Sequence, residues 1–527
     1  MTRLIPLVLL ASTAWAQPVI GPGVAETLSR EGTVRVVVAL DDGIGERHRG
    51  TVSVDQLRAS VALVQRRLLA ALPSDDVAVT TRFEAVPALV MRVSTQAALE
   101  ALGSHPTVLR VDLDEGGGGG GRAGGLGTSV SLIQASDWHR LGVTGDGVVV
   151  AVLDTGVDTD HADFAGAIVD QSCFLDFDGR VDGLGRCPNG GDRQMGVGAA
   201  EDDHGHGTNV TGILASRGAV SAVGVAPGVQ VAAVKVLDRG NSFNAFSEIV
   251  AALDYLIARP ELNVQVVNMS LGTFSLFPGV CDQSASWTVA GSSAARTLRQ
   301  RGVSLYASSS NEGSATSVSA PACLSDVVAV AASTLSDQIG YLSNTGPQVQ
   351  IVAPGLAITA SGLGGGTSTY NGTSQASPHV AGCAALLLAA DVASTPDELE
   401  VSFENTATVT ITDLDNGRAF PRLDCYDASF STASEDDRPL GPLELSAPYP
   451  NPARGLARVR LRADRAETIR VVLSDALGRL VSTVYDGTVP PGSRVLTVDA
   501  GALAPGIYSI RAVGPSSEAV RPIVVVR

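Results

Sequence analysis

Ser374 stands in Asn371-Gly372-Thr373-Ser374-Gln375-Ala376-Ser377-Pro378, between a glycine-bearing turn and an apolar run over 380–390 that predicts a buried helix. At a helix N-terminus, unpaired amides and the positive end of the helix dipole point outward, so an oxyanion forming there is stabilised. Serine is also a common helix cap, so Ser374 alone decides nothing. Pro378 suits a first turn, whose amides lack intrahelical partners. Other positions shift the balance. The apolar run 148–153 predicts a strand buried on both faces and delivers Asp154 at its carboxyl end, where an unpartnered carboxylate would be costly. Asp202-Asp203-His204-Gly205-His206-Gly207-Thr208 sets His206 where a glycine turn enters an apolar helix. Asn311 follows the predicted strand 303–307 through Ser308-Ser309-Ser310 and offers a side-chain amide. Nucleophile, base, orienting acid and oxyanion donor are the set that acyl transfer requires. Ser270-Leu271-Gly272, after the predicted strand 264–269, offers backbone with which an extended peptide could pair.

Groups of this kind need a rigid frame. Over 128–428, apolar β-branched runs at 148–153, 229–237, 264–269 and 303–307 alternate with helical stretches such as 247–258 and 292–301. This predicts an α/β domain with a mainly parallel sheet flanked by helices, and such sheets bind ligands beyond the carboxyl ends of their strands. Ahead of it, 33–113 predicts a strand at 33–40, a helix at 54–72 capped by Ser53, strands at 77–85 and 88–94, a helix at 95–102 and a strand at 107–113. That order, β-α-β-β-α-β, is a ferredoxin-like α+β arrangement. The intervening 114–127 contains Gly116 to Gly121 and reads as a flexible linker that cannot pack and is open to proteolysis. Polar 429–442 reads as a second linker. In 443–527, short runs at 458–462, 469–474, 494–498, 506–513 and 522–526 predict a small β-sandwich.

A chain of 527 residues with 45% hydrophobic content holds several packed domains. A net charge of −17 and the lack of a long basic cluster argue against nucleic acid as a partner. Of the 37 basic residues only Lys235 is a lysine, which removes any Gly-Lys-Ser/Thr phosphate loop. Residues 1–16 read as a signal peptide for export: Arg3, an apolar core over 4–11, and the small-residue cleavage site Ala14-Trp15-Ala16. The apolar stretch is too short to span a bilayer. Six cysteines fit an oxidising compartment. Many pairings are open, with Cys173–Cys187, Cys281–Cys323 and Cys383–Cys425 the simplest set. No CxxC unit favours zinc, and the i, i+2 pair His204 and His206 on a glycine-rich turn is a poor metal signature. His379 reads as a core histidine.

The chain resembles the subtilisin-like serine proteases. Asp-Thr-Gly at 154–156, His-Gly-Thr at 206–208 and Gly-Thr-Ser-x-Ala-x-Pro at 372–378 are similar to that family's three signatures, in its order Asp, His, Ser. Asn-Met-Ser-Leu-Gly at 268–272 resembles its substrate-binding strand. The resemblance implies a secreted serine endopeptidase with Asp154, His206 and Ser374 as triad, Asn311 in the oxyanion hole and Ser270, Leu271 and Gly272 binding substrate. Three positions depart from the pattern: Asn209 where a second histidine is usual, Ser309-Ser310 for Ala-Gly before Asn311, and Gln375 for a methionine after the nucleophile. The chemistry then needs no cofactor. The resemblance allows structural calcium, and Asp176, Asp178 and Asp182 share one loop, but their spacing is not that of an EF-hand and a solvated acidic loop is the competing reading.

Within the same resemblance, 33–113 is similar to the family's inhibitory propeptide, which makes the chain's own propeptide a partner and 114–127 the processing region. Residues 443–527 resemble a type IX secretion sorting domain through Tyr449-Pro450-Asn451-Pro452, Asp475-Ala476-Leu477-Gly478-Arg479 and Pro505-Gly506-Ile507-Tyr508. Protein or peptide substrates, export machinery engaged through the C-terminal domain, and a secreted or cell-surface location follow from these likenesses. An accessory β-sandwich is the competing reading of the tail. A catalytically inactive subtilisin-like binding protein and a lipase or esterase are the alternatives for the whole. The latter lacks the second glycine of Gly-x-Ser-x-Gly around Ser374.

Overall fold

The structure is a computed structural model that describes residues 20–118, 126–176, 185–404, 409–426, 428 and, with short gaps, 443–525. The expected signal segment 1–16, residues 119–125 of the glycine-rich segment, Asp178 and Asp182, the whole 429–442 linker, the sorting-like motif at 449–452, and residues 476–478 and 505 of the other two sorting-like motifs lie outside the described residues.

The central domain is built on an eight-stranded sheet. Its order is Val349–Pro354, Val328–Ser333, Ser304–Ser308, Val264–Met269, Val149–Asp154, Gln230–Lys235, Ile168–Phe174 and Arg193–Met195. All neighbours are parallel except the last pair. The expected mainly parallel sheet is therefore present. Val149–Asp154 has all six residues buried because successive side chains serve different layers. Val149, Ala151 and Leu153 join a core with helices Phe246–Ala258 and Ser286–Gln300. Val150 and Val152 join the core with helices His206–Ala215 and Thr373–Ala389. After Val149–Asp154 the chain adds strands to one side of it and then, from Val264–Met269 onward, to the other. The crevice where ligands bind such sheets lies outside the carboxyl ends at this switch point.

The first unit has sheet order Val77–Arg82, Ala88–Val93, Val34–Leu40, Val108–Leu113, with helices Val54–Ala71 and Gln96–Ser104. Ser53 and Gln56 form a capping box, as the expected cap required. A helix not foreseen, Val24–Glu31, packs Val24 and Leu28 into the same core. The strand expected to run to 85 stops at Arg82, because the amides of Glu84, Ala85 and Val86 turn toward the Asp254 carboxylate at 2.6, 2.6 and 2.8 Å. The outer face of this sheet, including Val37, Ala88 and Val90, shares a core with helices Phe246–Ala258 and Ser286–Gln300. Ala245 and Ala285 precede those two helices and carry no capping oxygen. Asp114 and Asp112 of the first unit supply it, accepting from Ser247 N at 3.0 Å and Ser286 N at 2.6 Å.

The glycine-rich segment departs from its expectation. Gly117–Gly118 pairs on one side with Ser242–Phe243 and on the other with Gly272–Thr273. A segment without side chains is held here through its main chain alone, which composition does not reveal.

The C-terminal unit is a sandwich of two antiparallel sheets. One holds Leu443–Leu445, Leu456–Ala463 and Gly492–Asp499; the other Leu480–Val489, Glu467–Asp475, Gly506–Val513 and Glu518–Val525. Their inner faces meet in one core of alternating residues such as Val459, Leu461, Val471 and Leu473. All three expected disulfides are formed: Cys173–Cys187, Cys281–Cys323 and Cys383–Cys425. Among the described residues no helix is long and apolar enough to cross a membrane.

Candidate active site

Asp154 ends its strand fully buried, with Oδ1 accepting the Thr155 amide at 2.7 Å. The same oxygen lies 2.7 Å from His206 Nδ1. His206 is also fully buried and opens helix His206–Ala215, which the Asp202 carboxylate holds at its start. Asp202 Oδ1 accepts from His204 N and Gly205 N, and Oδ2 from Thr208 N and Oγ1, at 2.6 to 3.0 Å. Burial works against the Asp202 charge, but these donors outweigh it and hold its pKa below the ordinary carboxylate value. Gly207 must be glycine: a Cβ there would sit 2.1 Å from the Gly156 carbonyl oxygen and 3.0 Å from Asp154 Cβ.

Ser374 is the second residue of helix Thr373–Ala389, which begins seven residues before the apolar run. Pro378 therefore lies inside the helix rather than in its first turn. Its missing amide would have bonded to Ser374 C=O. The Ser270 hydroxyl donates to that carbonyl instead, at 2.7 Å. In return Ser374 Oγ donates to Ser270 C=O at 3.1 Å. Asn268 Nδ2 donates to Ser270 Oγ at 3.0 Å, and Asn268 Oδ1 accepts from Ser377 Oγ at 2.7 Å. The carboxyl end of the Val264–Met269 strand is thereby tied to the helix bearing Ser374. One residue beyond Ser374, Gln375 Nε2 reaches Asn209 Oδ1, one turn along from His206. Asn209 also donates to Ser368 C=O at 2.9 Å.

Asn311 Oδ1 accepts from Thr373 N at 2.9 Å and Thr373 Oγ1 at 3.1 Å. With its oxygen committed, the side chain has its NH2 left to donate beside Ser374. Ser310 adopts φ +84°, the left-handed region where glycine is favoured, and Thr373 Oγ1 accepts its amide at 3.1 Å. Gly272 pairs with Gly118, while Leu271 C=O accepts the Ser308 hydroxyl at 3.2 Å. Thus Asp154 and His206 are in direct contact, Ser270 and Asn311 abut the Ser374 turn, and Gly272 edges the cleft that Gly117–Gly118 occupies. A carboxylate on one imidazole nitrogen fixes the tautomer in which the other nitrogen takes up a proton.

His379 bonds Gln375 C=O through Nδ1 at 2.7 Å and Ser129 Oγ through Nε2 at 2.8 Å, and burial lowers its pKa to about 4. It is a neutral core histidine. His204 is half-buried, and burial and the neighbouring His206 lower its pKa. Asp176 is engaged by Arg35 of the first unit. Among the described residues no three acidic, imidazole or thiol groups gather as a metal site. Thr155, Asn268, Thr373 and Ser377 stand within the motifs read from the sequence, but their supporting hydrogen bonds were given no role there.

Comparison with known proteins identifies the family. A family model described as the Subtilase family matches residues 145–433, and one described as a Secretion system C-terminal sorting domain matches 447–526. Subtilisin of Bacillus pumilus is 33% identical over 287 residues, covering 53% of this chain and 90% of its own. Subtilisin E of Bacillus subtilis is 32% identical over 287 residues, and the match spans 65% of its length and 53% of this chain. Subtilisin-like serine protease Pen ch 13 of Penicillium rubens is 35% identical over 263 residues, covering 56% of its length and 48% of this chain. The chain belongs to the subtilase family, and its subtilase domain is followed by a secretion-system sorting domain.

Proposed function

We propose that this chain is a secreted serine endopeptidase, made as a self-inhibited precursor and exported with the help of its C-terminal domain. The reading rests above all on the 2.7 Å contact between Asp154 and His206 at the sheet's switch point, beside a serine at a helix start. Ser374 attacks the scissile carbonyl, while His206 takes its proton and returns it to the leaving amine. Asp154 orients the imidazole and stabilises its charged form. The Ser374 amide and Asn311 Nδ2 receive the oxyanion. Ser270, Leu271 and Gly272 pair with the extended substrate.

The pairing of Gly117–Gly118 with Gly272–Thr273 supports the inhibitory role of the first unit: a peptide of the chain itself occupies the track a substrate would use. The capping of two helices by Asp112 and Asp114 supports a role in assembling the domain as well. The sorting-domain match favours export to the medium or cell surface, beginning from the signal-like residues 1–16. Mature enzyme is expected to begin between residues 119 and 126, a point N-terminal sequencing decides. Ser374→Ala, made without other proteases present, is expected to stay uncut and to hydrolyse no peptide. Maturation of that variant would sink self-processing, and retained hydrolysis would sink the triad. An inactive binding protein would leave Ser374 unlabelled by a fluorophosphonate, whereas the processed enzyme is expected to react at that residue.

A further inference from the structure

Lys235 is the chain's only lysine and is fully buried. It ends the strand Gln230–Lys235, directly across from Asp154 in the parallel register. Its Nζ donates to the Thr155 carbonyl at 2.5 Å and to Asp203 Oδ1 at 2.6 Å. Burying an ammonium is costly even when it is paired, so stability is a poor reason for it to be there. Its two acceptors suggest a better one. Thr155 touches the acid directly and the residue after the base: its amide donates to Asp154 Oδ1 at 2.7 Å, and its Oγ1 accepts from Gly207 N at 2.8 Å, one residue beyond His206. Asp203 belongs to the turn that leads into His206. One ammonium thus ties the turn after the acid to the turn before the base.

We propose that Lys235 is a positioning residue for the Asp154–His206 pair, holding the two turns at the separation that the 2.7 Å contact requires. Lysine suits the place because a single nitrogen meets two acceptors from different segments. A guanidinium would bring a planar fork of five donors, more than the two acceptors here can satisfy. That accounts for a lysine at this position in a chain whose other basic residues are all arginine. The inference rests on the proposed triad, and Ser374→Ala separates the two.

The test is steady-state hydrolysis of a peptide substrate by the full chain after maturation, with active sites counted by fluorophosphonate labelling. Lys235→Met is expected to lower kcat per labelled site by about tenfold or more with KM held within about twofold, since it misplaces reacting groups without touching the substrate track. Lys235→Arg is expected to restore only part of the loss. Asp203→Asn, at a half-exposed residue, is expected to lower kcat about threefold with KM unchanged. Wild-type kcat in Lys235→Met overturns the inference, as does a loss confined to KM. Where Lys235→Met does not fold, wild-type kcat in Asp203→Asn overturns it. Activity in Ser374→Ala would remove the triad itself, an outcome distinct from either.

Discussion

Release of the first unit is expected to depend on pH through Asp254. In the closed chain this carboxylate lies under residues 84–86, and burial raises its pKa from the ordinary 3.8 to about 6, outweighing the three amides that donate to it. Once the first unit leaves, the group faces water and returns to an ordinary value. The closed form therefore holds a proton more tightly than the open form, so acid favours closure. This contribution is fully present below about pH 4 and is lost as pH rises through about 6. Between about pH 5 and pH 8 the linkage amounts to about one log unit, or ~1.4 kcal/mol, so the unit is held about tenfold more tightly at the lower pH. Burial raises Asp114 and Glu248 as well, so other contributions have the same sign. Asp254→Asn removes only the Asp254 share and should flatten the dependence by about that log unit. It should also weaken closure by about 1–3 kcal/mol, because its NH2 faces an amide donor. The assay dilutes processed enzyme into buffers across this range and follows the onset of peptide hydrolysis, normalised at each pH to enzyme whose first unit has been digested away. Equal release at both ends of the range, faster release in acid, or an unchanged slope in Asp254→Asn would each refute the reasoning.

Gly207→Ala places a methyl against the Gly156 carbonyl, which is backbone and cannot rotate aside. It is expected to cut kcat by about 10²-fold or more and to cost about 1–3 kcal/mol of stability, read by kinetics and thermal unfolding. Ser310→Gly relieves a left-handed backbone and is expected to stabilise the enzyme by about 0.5–1 kcal/mol in denaturant titration, the gain being partly offset by the freer unfolded chain. Asn311→Ala should lower kcat about 10²–10³-fold with little change in KM, the loss that removing this donor produces in subtilisin itself. Gln375 offers no thioether beside the nucleophile, so purified enzyme should keep its activity in mild peroxide; rapid inactivation would count against this.

The proposed catalytic set could be read from the sequence because acyl transfer demands particular residue types, and glycines and apolar runs mark where each must stand. Asp154 after six apolar residues and His206 between two glycines needed no tertiary knowledge. The start of the Ser374 helix was misjudged because Thr373 to Ser377 are turn-like by composition; what makes them helical is the Ser270 hydroxyl, which satisfies the carbonyl that Pro378 cannot. Gly117–Gly118 looked unpackable for the opposite reason, since main-chain pairing needs no side chains and its partner strands lie far along the chain. Asp254 shows the same limit. Within its helix it is one more acidic residue, and only the three amides of a unit some 170 residues earlier give it a role. Motifs record what the reaction requires of residue types. Contacts that position or restrain the reacting groups require only a donor and an acceptor, and many residue types supply those. Under the proposed inhibition, the groups governing when this site opens are therefore the ones a sequence conceals, and in this chain they lie where the first unit meets the helices behind the sheet.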